Sequence, residues 1–153
     1  MSSLDFRFNY KRIPAIDSDT GEARDFFYPY VPCFLSSERR STELLEGLLD
    51  SGSDGIVLPR RIADYLELNL ERAPPIRVVG SKIDRYRARI SIRIGRAGRL
   101  SDPITNVKVS VTDGNDSPII LGRDPLFKLY RITFIDPENR LEMLPYHGKT
   151  SRS

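Results

Sequence analysis

Apolar and polar residues alternate most regularly between Arg85 and Ile94. There Tyr86, Ala88, Ile90, Ile92 and Ile94 are separated by Arg85, Arg87, Arg89, Ser91 and Arg93, a period of two that sets one strand face on a core and the other in solvent. Val107, Val109 and Val111 repeat the pattern around Lys108 and Ser110, and Asp113, Gly114 and Asn115 then predict a turn. Leu44 to Leu49, Ile56 to Leu58 and Ile119 to Leu121 are compact apolar runs with the length of buried strands. Near the C-terminus, Ile132, Phe134 and Ile135 precede the turn formers Asp136 to Asn139, and Leu141, Met143 and Leu144 follow them, which predicts a hairpin.

Toward the N-terminus the pattern is mixed. Phe6 to Ile16 reads as a strand, the cluster Asp17 to Glu22 as a hairpin loop, and the aromatic run Phe26 to Tyr30 as the returning strand. Pro29 and Pro32 lack amide hydrogens and predict a sheet-edge position for that segment. Pro59 suits the start of a short helix with Ile62, Tyr65 and Leu66 on one apolar face, and Asp124 followed by Pro125 predicts a second helix, capped by Asp124, over Leu126 to Tyr130. Pro74 and Pro75 bar any continuation of the first helix, and Ile76 to Ile83 is an apolar patch broken at Gly80 and Ser81. About eight short strands and two short helices predict a mainly β barrel or sandwich.

With 153 residues, 39% of them hydrophobic and 29% charged, the chain has the material for one compact domain. No apolar run approaches the roughly 20 residues of a membrane-spanning helix, and the N-terminus lacks a signal-type apolar stretch, so a soluble, cytoplasmic protein with no membrane partner is expected. One cysteine, Cys33, cannot form an intrachain disulfide, and the single histidine, His147, lies near a polar tail expected to fray after Tyr146. Zinc sites and thiol chemistry are therefore short of ligands and partners. A net charge of +3 permits contact with nucleic acid without demanding it.

The chemistry concentrates in Asp50, Ser51, Gly52, Ser53, Asp54 and Gly55, where an acid, hydroxyls and glycines form a turn directly after a buried strand. Hydrolysis of a peptide bond by carboxylates needs two of them sharing one proton, and this chain offers one at that turn. Leu48 to Asp54 resembles the hydrophobic-hydrophobic-Asp-Thr/Ser-Gly-Ala/Ser signature of the retropepsin-like (retroviral-type) aspartic proteases. Ile119 to Asp124 resembles that family's second element, hydrophobic-hydrophobic-Gly-Arg-Asn/Asp. The two lie in the family's order, 72 positions apart from Asp50 to Gly122 (122 minus 50).

The resemblance covers roughly Asp25 to Leu144, and it implies a closed acid-protease β barrel with one or two short helices. It divides the chain into an N-terminal extension (1–24), a protease domain (25–145) and a flexible tail (146–153). It implies an aspartic endopeptidase acting as a homodimer, with the Asp50 pair on the two-fold axis activating water and no metal or cofactor required. In that frame Gly52 lets the two turns approach, Ser51 braces the opposite turn, Ser53 supports it, and Asp54 pairs with Arg123. The best match to the family's flap is Ile76 to Tyr86, with Val79, Gly80 and Ser81 at its tip, although Gly80 stands alone where retroviral members are richer in glycine. An extended peptide or protein substrate would bond to that flap, with Ile56, Val79 and Ile83 as apolar cleft walls. The extension would pad the dimer or shield the cleft.

Other readings separate from this one by simple features. A non-catalytic dimeric module of the same fold would bind peptide and tolerate loss of Asp50. A basic β-module would read phosphates through the arginines from Arg85 to Arg99, but Tyr86 alternates to the face opposite Arg85, Arg87 and Arg89, so no stacking platform is interleaved with them. Asp19, Thr20 and Gly21 spell a second triplet without a buried strand before it and are read as a hairpin turn. Ser51 and Ser53 lack a Gly-x-Ser-x-Gly frame.

Overall fold

The computed structural model describes residues 4–147, so most of the expected tail, from residue 148 onward, lies outside the described residues. Chain order runs β1 (Phe6–Asn9), β2 (Lys11–Ile16), β3 (Ala23–Tyr28), β4 (Tyr30–Ser36), β5 (Leu45–Leu49), β6 (Ile56–Pro59) and helix α1 (Arg60–Tyr65). It continues through β7 (Glu71–Val78), β8 (Ser81–Arg96), β9 (Arg99–Leu100), β10 (Ile104–Thr112) and β11 (Ile119–Leu121). Helix α2 (Leu126–Leu129), β12 (Tyr130–Ile135), a 3-10 turn at Asp136–Glu138 and β13 (Arg140–Pro145) complete it.

A closed barrel of 6 strands forms the centre, in the cyclic order β4, β5, β11, β6, β10, β8. Closure comes from β10, which runs parallel to β6 through Val109↔Ile56 and antiparallel to β8 through Val109↔Ala88. The alternation read in the sequence sets this geometry: Ile90, Ile92, Ile94, Val107, Val109 and Val111 all point into one buried cluster, each contributing about 1.5–3 kcal/mol by leaving water. Arg87, Arg89 and Arg93 take the outer face.

Two smaller sheets flank the barrel. β1, β13 and β12 form one, whose inner residues Phe6, Leu141 and Met143 join the barrel's core cluster. β2 and β3 form the other, a hairpin closed by Asp17 and Glu22, with Asp17 accepting from the Asp19 and Thr20 amides. Asp19, Thr20 and Gly21 thus sit in a hairpin turn, and Phe6 to Ile16 divides at Tyr10 into β1 and β2.

Several local expectations are corrected. The segment Phe26 to Tyr30 divides at Pro29: Phe26 to Tyr28 lie in β3, at an edge of its two-stranded sheet as expected, whereas Tyr30 opens β4, a barrel wall that pairs with β5 through Tyr30–Cys33 and with β8 through Cys33–Ser36, so Pro32 falls where only one neighbour is bonded. Pro74 and Pro75 lie inside β7, an edge strand whose register with β8 shifts between Ala73 and Ile76, and the missing amides are tolerated there. Ile62 on α1 and Leu66 at its C-terminal cap are buried as expected, but Tyr65 is exposed beneath the Arg40 guanidinium and Ala63 takes the inner position. The α1 N-terminus is held from afar, the Arg60 amide donating to Gly114 O and the Arg61 amide to Asn115 Oδ1. At α2 the capping position falls on Pro125 and not on Asp124, with no side-chain cap.

Candidate active site

The turn that carries Asp50 is built by two parallel barrel strands. β5 and β11 run side by side, with Leu49 level with Leu121, and the chain leaves both at the same end of the barrel. The Asp50 amide donates to Leu121 O at 3.0 Å, which fixes where the turn begins. Beyond it the segment Gly122 to Asp124 zips onto the far side of the turn: the Gly122 amide donates to Gly55 O (3.1 Å), the Arg123 amide to Ser53 O (2.8 Å) and the Asp124 amide to Asp54 O (2.9 Å). Both motifs found in the sequence are therefore one structure.

Gly122 makes this possible. A Cβ there would stand 2.2 Å from Gly55 O and 2.6 Å from Ser53 O, distances no side chain tolerates. Gly47 plays a similar part lower down, where a Cβ would meet the Leu121 side chain at 2.7 Å.

Within the turn the Asp50 carboxylate accepts from the Gly52 amide at 2.9 Å, and the Ser53 hydroxyl donates to Gly55 O at 2.9 Å. A side chain on Gly52 would crowd Asp50 Oδ1, its nearest neighbour at 3.2 Å. Asp50 is half-buried and Ser51 and Gly52 are exposed beside it, so the carboxylate stands at the barrel's rim, partly open to solvent. The Arg123 guanidinium donates to Asp54 Oδ1 at 2.6 Å. Both side chains are largely in solvent, and such a pair contributes about 0–1 kcal/mol.

A cavity of about 570 Å³ opens against Asp50 and Ser51. Its other walls include residues outside both motifs: Phe27 of β3, Phe134 of β12, and Tyr10 with Asp136. The Tyr10 hydroxyl donates to Asp136 Oδ1 at 2.6 Å across 126 positions of chain, and its amide donates to Asn139 O. Burial, and then the bond to Asp136 and its charge, hold the Tyr10 phenol far above its ordinary value. Only the aromatic character of the early segment hinted at this wall, because nothing local in the sequence announces a contact of that separation.

The remaining residues expected at the site lie elsewhere. Val79 and Gly80 form the two-residue turn of the β7–β8 hairpin, where Gly80 supplies the φ of +79° that a side chain would resist, and Val78 pairs with Ser81. Val79, Ser81 and Ile83, the last opposite Ile76, are exposed. Among the described residues, the cavity at Asp50 includes none of Val79, Gly80, Ser81 or Ile83. Ile56, expected as a cleft wall, is corrected: at 1% exposure it belongs to the core, because its inward position on β6 packs it under Leu121 and Val109.

Rival chemistries find little support in the geometry. Cys33 is wholly buried in β4, and desolvation pushes its thiol up to about 12, the reverse of what a thiolate nucleophile needs. Tyr86 is drawn over by Arg60 and does not stack among the outward arginines. Among the described residues no group of three or more His, Cys, Asp or Glu side chains is placed to hold a metal ion, and no helix is long and apolar enough to cross a membrane.

Comparison with known proteins completes the picture. The family described as Aspartyl protease matches residues 42–124, more than half of the chain and inclusive of both motifs. Among solved structures, a retropepsin-like aspartic protease from Rickettsia conorii is similar at a TM-score of 0.59 and 16% identity, covering 86% of this chain and 98% of that one. The retroviral protease-like domain of Ddi1 from Leishmania major is similar at 0.51 and 18%, covering 82% and 98%. The EIAV protease complexed with the inhibitor HBY-793 aligns at 0.49 and 25%, covering 67% and 88%. No curated protein sequence matches.

Proposed function

The chain belongs to the aspartyl protease family, with the fold of a retropepsin-like protomer, and we propose that it is an aspartic endopeptidase that works as a homodimer through Asp50. The observation that carries this reading is the locked turn: Asp50 is held at the barrel rim by the Leu121 and Gly52 bonds, and each protomer contributes one such carboxylate. A second copy would bring a second Asp50 against the first. Two carboxylates at close range cannot both ionise easily, so the pair holds one proton between them.

In the reaction the ionised member takes a proton from water as that water attacks the peptide carbonyl. The protonated member donates to the carbonyl oxygen, giving a neutral tetrahedral diol. On collapse the protonated member gives its proton to the leaving nitrogen while the ionised member takes one from a diol hydroxyl, the peptide C–N bond breaks, and the dyad is again singly protonated. Gly52 leaves room for the approach of the two turns, Ser51 and Ser53 brace them, and the Arg123–Asp54 contact ties each turn to the segment ahead of α2. The β7–β8 hairpin is assigned to the flap, with Val79, Gly80, Ser81 and Ile83 over an extended peptide that adds to it as a strand adds to a sheet.

Cleavage of a mixed peptide library across about pH 4–7, the range of coupled carboxylates, tests the reading, with Asp50→Asn run beside the wild type. Cuts made by the wild type and missing from the variant support it. A wild-type dimer that cuts nothing but binds library peptides would replace it with a binding module of the same fold.

A further inference from the structure

The β2–β3 hairpin is an element the protomer leaves uncovered. It forms a two-stranded sheet of its own, joined to no other strand, and an isolated pair of strands is marginal in water. Its register places Arg12 opposite Phe27, Pro14 opposite Asp25 and Ile16 opposite Ala23 on one face. Every one of these residues is exposed, Ile16 at 66% and Phe27 at 41%. The other face is partly covered, with Ile13 and Phe26 half-buried and Arg24 over the Phe26 ring.

The charges of the hairpin are largely spent within the protomer. Arg24 pairs with Asp17 at 2.7 Å, Arg12 with Asp25 at 3.4 Å and Lys11 with Glu46 at 2.9 Å. Besides the mutually paired Arg12 and Asp25, what the open face offers a partner is apolar: Pro14, Ile16, Ala23 and Phe27. An apolar patch is complementary to itself, as a two-fold interface requires, whereas a patch of one charge is not. Phe27 also lines the same cavity as Asp50 and Ser51, together with Phe134 of the edge strand β12. Phe27 and Asp50 therefore face one shared space.

We propose that the β2–β3 hairpin is a dimerisation arm, and that its Ile16–Phe27 face is covered by a second copy of this chain. The proposal rests on the homodimer reading above and adds the surface that makes the dimer. It assigns the N-terminal segment a part in completing the site, since a protomer that cannot dock keeps a single Asp50.

Sedimentation of the full chain tests it, comparing the wild type with Ile16→Asp/Phe27→Asp and the milder Ile16→Ser/Phe27→Ser, all in the Asp50→Asn background to prevent self-cleavage. Circular dichroism checks that the barrel stays folded. The expected result is a wild-type hairpin dimer and a dissociation constant raised about 30-fold or more by the aspartates, with a smaller rise for the serines. Dimers of unchanged affinity in the folded variants, or a wild-type hairpin that stays monomeric at every soluble concentration, would overturn the proposal. Cleavage is measured separately with Asp50 restored. Loss of the dimer in the variants with no cleavage by the wild type would keep the arm and remove the protease; a dimeric, active hairpin variant would do the reverse.

Discussion

Gly122 lies with its amide 3.1 Å from the carbonyl oxygen of Gly55, and that oxygen would be only 2.2 Å from any Cβ placed on Gly122. The contact is backbone against backbone, so no side chain can swing aside to relieve it. Gly122→Ala is therefore expected to lose at least about 3 kcal/mol, the range of severe overpacking. Urea denaturation measures it, and a loss under 1 kcal/mol, within about the scatter of surface changes, would mean the turn rearranges freely.

Asp50→Asn is expected to leave the fold intact, because the amide oxygen of Asn can still accept from Gly52. Peptide cleavage should fall by about 10²–10⁴-fold or more, the contribution of positioned acid–base groups. An unchanged thermal midpoint beside lost cleavage separates chemistry from stability. Equal losses of both would refute a catalytic role.

The Arg123–Asp54 pair is exposed in the protomer, at 58% and 95% for the two side chains. A double-mutant cycle with Arg123→Ala and Asp54→Ala is expected to give a coupling of about 0–1 kcal/mol in the monomer. A rise in that coupling at dimer-forming concentration would show that the second copy shields the pair.

Tyr10→Phe removes the hydroxyl that donates to Asp136. Asp136 is exposed and can take water instead, so the cost is expected near 1 kcal/mol. The sign of the pH effect follows from the direction of the shift. A phenol held above its ordinary value stabilises the fold fully below about pH 10, where the unfolded tyrosine begins to ionise, and loses that contribution as pH climbs toward the folded value. The wild type should lose stability above about pH 10 more steeply than Tyr10→Phe, which alkaline denaturation curves compare directly.

Strands whose partners follow their own pattern were legible in the sequence. Ile90, Ile92 and Ile94 declare a buried face by alternation, and the same rule found Val107 to Val111. The turn at Asp50 was legible because its conformation is written in adjacent residues. Prolines say less where their meaning depends on the neighbour: Pro32 stands in a barrel wall at a place bonded on one side, and Pro74 and Pro75, which bar a helix as expected, occupy an edge strand. Ile56 follows the catalytic-type turn closely in sequence, yet its position on β6 turns it inward. Tyr10 against Asp136 could not be read at all, since only the sheet formed by β1, β13 and β12 brings those positions together.

The bond from the Asp50 amide to Leu121 O spans 71 positions (121 minus 50). During synthesis the turn has no partner until β11 has left the ribosome, and contacts of such long separation form late and slowly. A chain cut short before Ile119 would carry every residue of the Asp50 turn and still lack the strand that sets it. The same topology that positions the carboxylate thus delays it, since a fragment ending before Ile119 lacks the Leu121 carbonyl to which the Asp50 amide bonds.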